Sequence, residues 1–194
     1  MADTVKKSEK KFTYSDYATW HDDKRYEIIS GQVYTMAPGA SDMHQDVSVQ
    51  LVVEIGSYLR GKKCKIYHPP FDVILPEDGD TLETAKNIVQ PDIFVVCDKE
   101  KIIHRGCYGA PDLVVEILSP STAKRDIKDK RKLYQRSGVR EYWIVDPVHK
   151  TVQVYKVDEE GKYSFPETYT EDDKIKVGIF NDELEIDLSV VFVK

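Results

Sequence analysis

The chain has 194 residues, of which 41% are hydrophobic and 32% charged, as in a single soluble globular domain. This excludes collagen-like, mucin-like and wholly disordered chains, and no apolar run approaches the roughly 20 residues that cross a bilayer. The net charge of -6 argues against nucleic acid as a partner of the whole surface.

Residues 1–12 are Lys-rich and polar and read as a frayed basic tail. Their charges have no hydrophobic stretch behind them, unlike a secretory signal. Tyr14–Trp20 suits a short helix. Arg25 to Met36 reads as a hairpin turned at Ser30-Gly31, where glycine supplies a positive φ. After the loop at 37–42, a helix is expected from about Met43 to Arg60. Ser41 or Asp42 would cap it, Gly61 would end it, and Val47, Leu51, Ile55 and Tyr58 would form its apolar stripe. His44 heads that stripe.

Strands are expected at 65–68, 71–75 and 89–96. Asp112-Leu-Val-Val-Glu-Ile-Leu118 is a near-continuous apolar run, as in a strand covered on both faces. A helix over 122–136 follows, closed by Ser137-Gly138. Strands follow at 141–146, 151–157 and 162–165, and the segments 184–188 and 190–193 read as short and peripheral. Residues 13–157 form the expected domain, with 158–194 as an acidic extension packed on it. That extension carries eleven acidic residues and four lysines. The 124–136 stretch carries seven basic residues against two acidic ones. Such a patch is either a solvated helix face or a phosphate-contacting one, and Lys124, Arg125, Lys128 and Lys132 are its candidates.

Cys64, Cys97 and Cys107 are odd in number and not closely spaced. They predict neither a disulfide framework nor a thiolate zinc site, and a reducing cytoplasm fits. Each reads as a small buried apolar residue.

Three polar residues stand out. Glu116 interrupts a strand whose neighbours are buried, where an ionised carboxylate is costly without partners; the bland alternative is a strand end facing water. Asp92 stands between Pro91 and a strand, as turn residues do. Yet two strands each offering a carboxylate can hold a hard divalent ion such as Mg²⁺ or Mn²⁺. Asp112 lies about 13 Å from Glu116 along the strand, too far to share that ion. On a 100° wheel, Lys130 falls between Ile127, Leu133 and Tyr134, while Lys124, Lys128, Lys132 and Arg136 face outward. It is an active-site amine or a lysine whose stem snorkels. His44 and Glu27 have ordinary packing or solvent-facing alternatives. No glycine-rich phosphate loop, nucleophile elbow or His-Glu-x-x-His is present, which removes nucleotide triphosphatase, α/β-hydrolase and zincin chemistry.

Taken together, Arg25-Tyr-Glu-Ile-Ile-Ser-Gly-Gln-Val-Tyr34, His44 at a helix start, Gln90-Pro-Asp92, Pro111-Asp-Leu-Val-Val-Glu-Ile-Leu-Ser-Pro-Ser-Thr122, Asp126-x-x-x-Lys130-x-x-x-Tyr134 and Glu141-Tyr-Trp-Ile-Val-Asp-Pro147 resemble the Uma-two family of restriction-endonuclease-like proteins, from Tyr14 to Val157. The resemblance implies a PD-(D/E)XK nuclease fold. That is an α/β mixed sheet core flanked by helices, here with an N-terminal hairpin and a C-terminal β extension. It implies Asp92 and Glu116 as metal-binding acids, with His44 and Glu27 as catalytic residues in the same cleft, His44 completing the metal shell or assisting proton transfer and Glu27 binding the metal through water. The usual Glu-x-Lys is broken, since Glu116-Ile-Leu118 puts Leu at the lysine position, and Lys130 is the candidate replacement. The implied activity is DNA phosphodiester hydrolysis with Mg²⁺ or Mn²⁺, in a homodimer, with no membrane and no nucleotide cofactor. A catalytically silent nucleic-acid-binding module and an interaction protein with a metal-free Glu116–Lys130 pair are the alternatives.

Overall fold

The computed structural model describes residues 10–36 and 39–192; most of the expected basic tail, residues 1–9, lies outside them. The chain opens with α1 (Tyr14–Tyr17), the strands β1 (Tyr26–Ile29) and β2 (Gln32–Thr35), and α2 (Asp42–Leu59). Then come β3 (Lys65–Tyr67), β4 (Asp72–Ile74), β5 (Ile88–Val89), β6 (Ile93–Val96), β7 (Ile102–Ile103), β8 (Gly106–Tyr108) and β9 (Leu113–Ile117). A helix in three parts follows: α3 (Ala123–Arg125), a π-helical turn (Asp126–Lys130) and α4 (Arg131–Ser137). The chain ends with β10 (Glu141–Asp146), β11 (Thr151–Lys156), β12 (Glu167–Thr170), β13 (Lys174–Lys176), β14 (Glu185–Asp187) and α5 (Leu188–Val191).

Two six-stranded sheets result, ordered β2-β1-β5-β4-β8-β7 and β12-β11-β10-β9-β6-β3. The expected hairpin forms with Ser30 and Gly31 both at positive φ, the geometry whose twist matches that of the strands. It is the edge of the first sheet. The expected strand 89–96 is two strands in different sheets, because Pro91 cannot donate to a ladder and the chain changes sheet across Gln90-Pro91-Asp92. β9 and β10 run parallel, and the helix at 123–137 makes the crossover that parallel neighbours require.

The second sheet is covered on both faces, as its apolar runs imply. Residues 113, 115 and 117 of β9 and 143 and 145 of β10 pack with Val47, Leu51, Ile55 and Leu59 of α2. Val114, Tyr142 and Ile144 face the other way, towards Leu133 and Tyr134 of α4 and towards Val73 and Val89 of the first sheet. Strand alternation therefore puts Glu116 on the side that meets α4 and the first sheet. Burying each aliphatic side chain in these layers contributes about 1.5–3 kcal/mol.

Three expectations are corrected. Cys64 and Cys97 form a disulfide, leaving Cys107 as the free thiol. The β3–β6 register pairs Lys65 with Val96, so the next pair outward is Cys64 opposite Cys97, a proximity that sequence spacing hides. The expected strand 162–165 reduces to one bridge, Val157–Tyr163, and β12 takes its place beside β11. Finally, Ile186, Leu188, Val191 and Phe192 belong to the main core cluster with α2 and β9 and are not peripheral. No helix among the described residues is long and apolar enough to cross a membrane.

Candidate active site

A cleft of about 530 Å³ opens where the two sheets, the start of α2 and the π-helical turn meet. Each candidate acid reaches it for a local reason. Ile93 pairs with Val115, so Asp92 and Glu116 are the next pair outward and both line the cleft. The Ile117 backbone N–H donates to Asp92 Oδ2 at 2.8 Å, which fixes the Asp92 carboxylate at the end of the strand pair. Ser41 caps α2 by accepting from the His44 backbone N–H, and this places the His44 ring with Nε2 3.3 Å from Asp92 Oδ2. Glu27 comes from β1 in the other sheet and Lys130 from the crossover helix.

Lys130 is 3% exposed, and its ammonium sits among carboxylates. It lies 2.7 Å from Glu27 Oε1, 2.9 Å from Glu116 Oε1 and 3.5 Å from Asp126 Oδ1. The Tyr134 hydroxyl also donates to Glu116 Oε1, at 2.6 Å. The Gln90 backbone N–H donates to Glu27 Oε1 at 3.1 Å, and Arg125 Nη1 stands 3.5 Å from Glu27 Oε2 while its guanidinium covers the Tyr34 ring. Four carboxylates (Glu27, Asp92, Glu116 and Asp126) thus share this space with three permanent cations, Lys130, Arg125 and Arg25.

The titration behaviour follows from that imbalance. Burial pushes the Glu116 carboxyl well above the usual range; Lys130 pulls it back, and the charges of Asp126, Asp92 and Glu27 push it up again. Burial likewise raises Asp126. Burial alone would strip the Lys130 proton, but Glu116, Glu27 and Asp126 hold it on and raise its pKa. For His44, burial opposes the charged ring, yet the Asp92 hydrogen bond and charge prevail and its pKa is raised. Burial also raises Tyr134, keeping it a donor.

All five residues expected at one site, Asp92, Glu116, Lys130, His44 and Glu27, line this one cleft. Of the expected basic surface, Lys124, Lys128 and Lys132 are exposed. Arg125 turns inward against Glu27 instead. The cause is the π-helical turn, in which the Arg131 N–H bonds Asp126 O. A π-turn carries one extra residue, so everything before it shifts by one position. Asp126 then takes the inward place that the wheel assigns to Ile127, and Ile127 is 45% exposed. Asp126 was therefore missed as a site residue, as was Gln90. Their signal, an acid and an amide within the motif stretches Asp126-x-x-x-Lys130 and Gln90-Pro-Asp92, is present in the sequence but has no period to betray it.

Among the described residues, no group of three or more His, Cys, Asp or Glu is already gathered as a metal cage. The donor chemistry nevertheless fits a hard cation. The donors are carboxylate oxygens, as Mg²⁺ and Mn²⁺ prefer. Negative charge is in excess, and Asp126 Oδ1 is buried with no hydrogen-bond partner, its nearest cation being the ammonium 3.5 Å away.

Residues 14–189 match the Uma2 family, described as "Putative restriction endonuclease". The chain belongs to this family. An uncharacterized protein of Synechocystis sp. is 28% identical over 156 residues, covering 79% of this chain and 78% of that protein. The crystal structure of a "putative nuclease belonging to DUF820" from Anabaena variabilis superposes with a TM-score of 0.74 at 20% identity, covering 93% of this chain and 97% of that one. The Uma2 chain therefore has the mixed α/β nuclease fold that its sequence resembles.

Proposed function

We propose that this Uma2 protein is a divalent-metal-dependent endonuclease that hydrolyses DNA phosphodiester bonds. The observation that carries the reading is the meeting of Asp92 and Glu116 across the β6–β9 pair with a buried Lys130 at 2.9 Å from Glu116. This set has the acid, acid and lysine of the nuclease motif, with the lysine supplied from the helix and not from position 118.

Asp92 and Glu116, with His44 beside them, would hold Mg²⁺ or Mn²⁺, which supplies polarisation of the phosphoryl group and a more acidic water. Lys130 would stabilise negative charge developing on the phosphate. Glu27 and Asp126 keep its ammonium protonated, and Tyr134 aims the Glu116 carboxylate. His44, whose Nε2 stands 3.3 Å from Asp92 Oδ2, would complete the metal shell or assist proton transfer. Lys124, Lys128 and Lys132 would meet the DNA backbone. Neutralising Lys128 and Lys132 together is expected to weaken binding across all sequences and to lower the salt slope by about two phosphate contacts' worth. An unchanged slope would place the DNA surface elsewhere. Two copies would present one site to each strand, which is the sense of the proposed homodimer. A cytoplasmic setting is part of the reading, although the thiol argument for it fails with the Cys64–Cys97 bond.

A second reading, a silent nucleic-acid-binding or interaction protein, is favoured by one feature: the ammonium already has three carboxylate partners, as a structural ion cluster would. Supercoiled plasmid separates the two. The nuclease converts it to nicked or linear product with Mg²⁺ or Mn²⁺ and not with a chelator. Binding without conversion under every metal selects the silent module.

A further inference from the structure

The opposite face of the first sheet carries a second cavity, of about 180 Å³. On β1, Glu27 lines the cleft and Ile29 packs in the core on the same side, whereas Ile28 packs with the N-terminal segment around Tyr17 and Trp20. The cavity's walls are aromatic. Trp20 meets Tyr17 and Tyr26 edge-on, with centroids 5.7 and 5.0 Å apart, and Tyr14 adds a further ring. One oxygen of Asp72, a residue that also lines the cavity, accepts from the Tyr17 hydroxyl at 3.2 Å and from Gln90 Nε2 at 2.8 Å. Its other oxygen has no hydrogen-bond partner among the described residues. Lys24 and Arg105 bring positive charge to the same cavity, and the Asp22 carboxylate, which accepts from the Tyr26 hydroxyl, lines it as well.

We infer that this cavity takes one base of the nucleic-acid substrate, turned out of its stack, and that guanine is the base it fits best. The inference rests on the nucleic-acid reading above. Aromatic rings offer stacking surface to any base. The free carboxylate oxygen can only accept, so it reads N–H donors. Guanine presents two adjacent ones, its ring N–H and its amino group, whereas thymine flanks a single N–H with carbonyls. The lysine and arginine suit the phosphates on either side of an extruded nucleotide, which a free organic cation, the other guest of aromatic walls, does not carry.

The cavity is also wired to the cleft. Arg25 lines the cleft, and its Nε and Nη2 donate to Gln90 Oε1 at 2.9 and 2.7 Å. The same Gln90 holds Asp72 through its side chain and Glu27 through its backbone N–H. A base seated on Asp72 therefore bears, through one residue, on the carboxylate that pairs with Lys130.

The test uses the whole protein in chelator, so that nothing is cut. Its signal is Trp20 fluorescence, since Trp143 is fully buried in the core beyond the second sheet. The oligomer d(TTGTT) should quench Trp20 and bind about tenfold more tightly than d(TTTTT), and the quenching should vanish in Trp20→Phe. Asp72→Asn keeps the bonds from Tyr17 and Gln90 through its amide oxygen but turns a donor into the cavity. It should bring the two oligomers to within about twofold of each other. Equal affinities in the wild type overturn the inference, as does a guanine preference that survives Asp72→Asn. Stronger quenching by tetramethylammonium than by d(TTGTT) overturns it in favour of a cation cage. Plasmid cleavage is scored separately: cleavage without a guanine preference ends this inference alone, and a guanine preference without cleavage ends the nuclease reading alone.

Discussion

Lys130→Met is expected to lower plasmid cleavage by about 10²-fold or more, the scale of losing one charge-stabilising donor. The Met chain fills the space of the lysine stem, so packing is kept. The charge balance is not. Glu27, Glu116 and Asp126 then face one another without the ammonium that lies between them. Removing one partner from a buried ionic cluster costs about 3–5 kcal/mol. That cost should grow with pH. Burial already holds Glu116 and Asp126 above their ordinary pKa values, and without Lys130 they rise further. A carboxyl raised in the folded state stabilises fully below its unfolded pKa, and this stability is lost as pH rises through the folded value. Thermal melts of Lys130→Met against wild type should therefore converge towards pH 4 and separate at pH 8. Cleavage is compared at a temperature where both remain folded. Lys128→Met, on the exposed face of the same helix, is the control and should retain most turnover. Equal cleavage by the two variants would make Lys130 a structural lysine.

Glu116→Gln should do the reverse to stability while also ending cleavage. The amide oxygen still accepts from Lys130 Nζ and the Tyr134 hydroxyl, the two partners of Oε1. What disappears is one negative charge from a space with too many. Lys130 remains paired with Glu27 and Asp126. Because the Glu116 pKa is raised, its ionised form destabilises the metal-free protein above that pKa. The variant should match wild type at pH 4 and equal or exceed it at pH 8, by about 1.4 kcal/mol for each pKa unit of the wild-type shift. A variant markedly less stable than wild type at pH 8 would mean that the ionised Glu116 holds the fold together.

Much of this site was legible because its polar residues violate strong patterns. Glu116 breaks an apolar strand and Lys130 breaks an apolar helix face, and both anomalies are the cleft. Asp92 was legible through Pro91, which ends one strand and starts another. What the pattern hid came from two local events. The π-helical turn shifts the helix register by one residue, which moved Asp126 and Arg125 inward and Ile127 outward, and no wheel drawn at 100° can show that. The strand split at Pro91 puts β5 and β6 in separate sheets, so the first sheet was read as a mere hairpin. The pairing of Cys64 with Cys97 depends on the β3–β6 register, a tertiary fact with no trace in cysteine spacing. The C-terminal segment misled for a simpler reason. Most of its acidic residues are exposed, but Ile186, Leu188 and Val191 near them are fully buried, and a charge count weighs only the former.

On the proposed reading, the excess carboxylate charge around Asp92 and Glu116 receives a hard divalent cation. Calorimetric titration of Mn²⁺ into the wild type, Asp92→Ala and Glu116→Gln tests it most directly. Saturable binding is expected in the wild type and its loss in both variants, with each variant still folded. Unchanged Mn²⁺ affinity in both variants would contradict it and leave the cluster as a metal-free ion network.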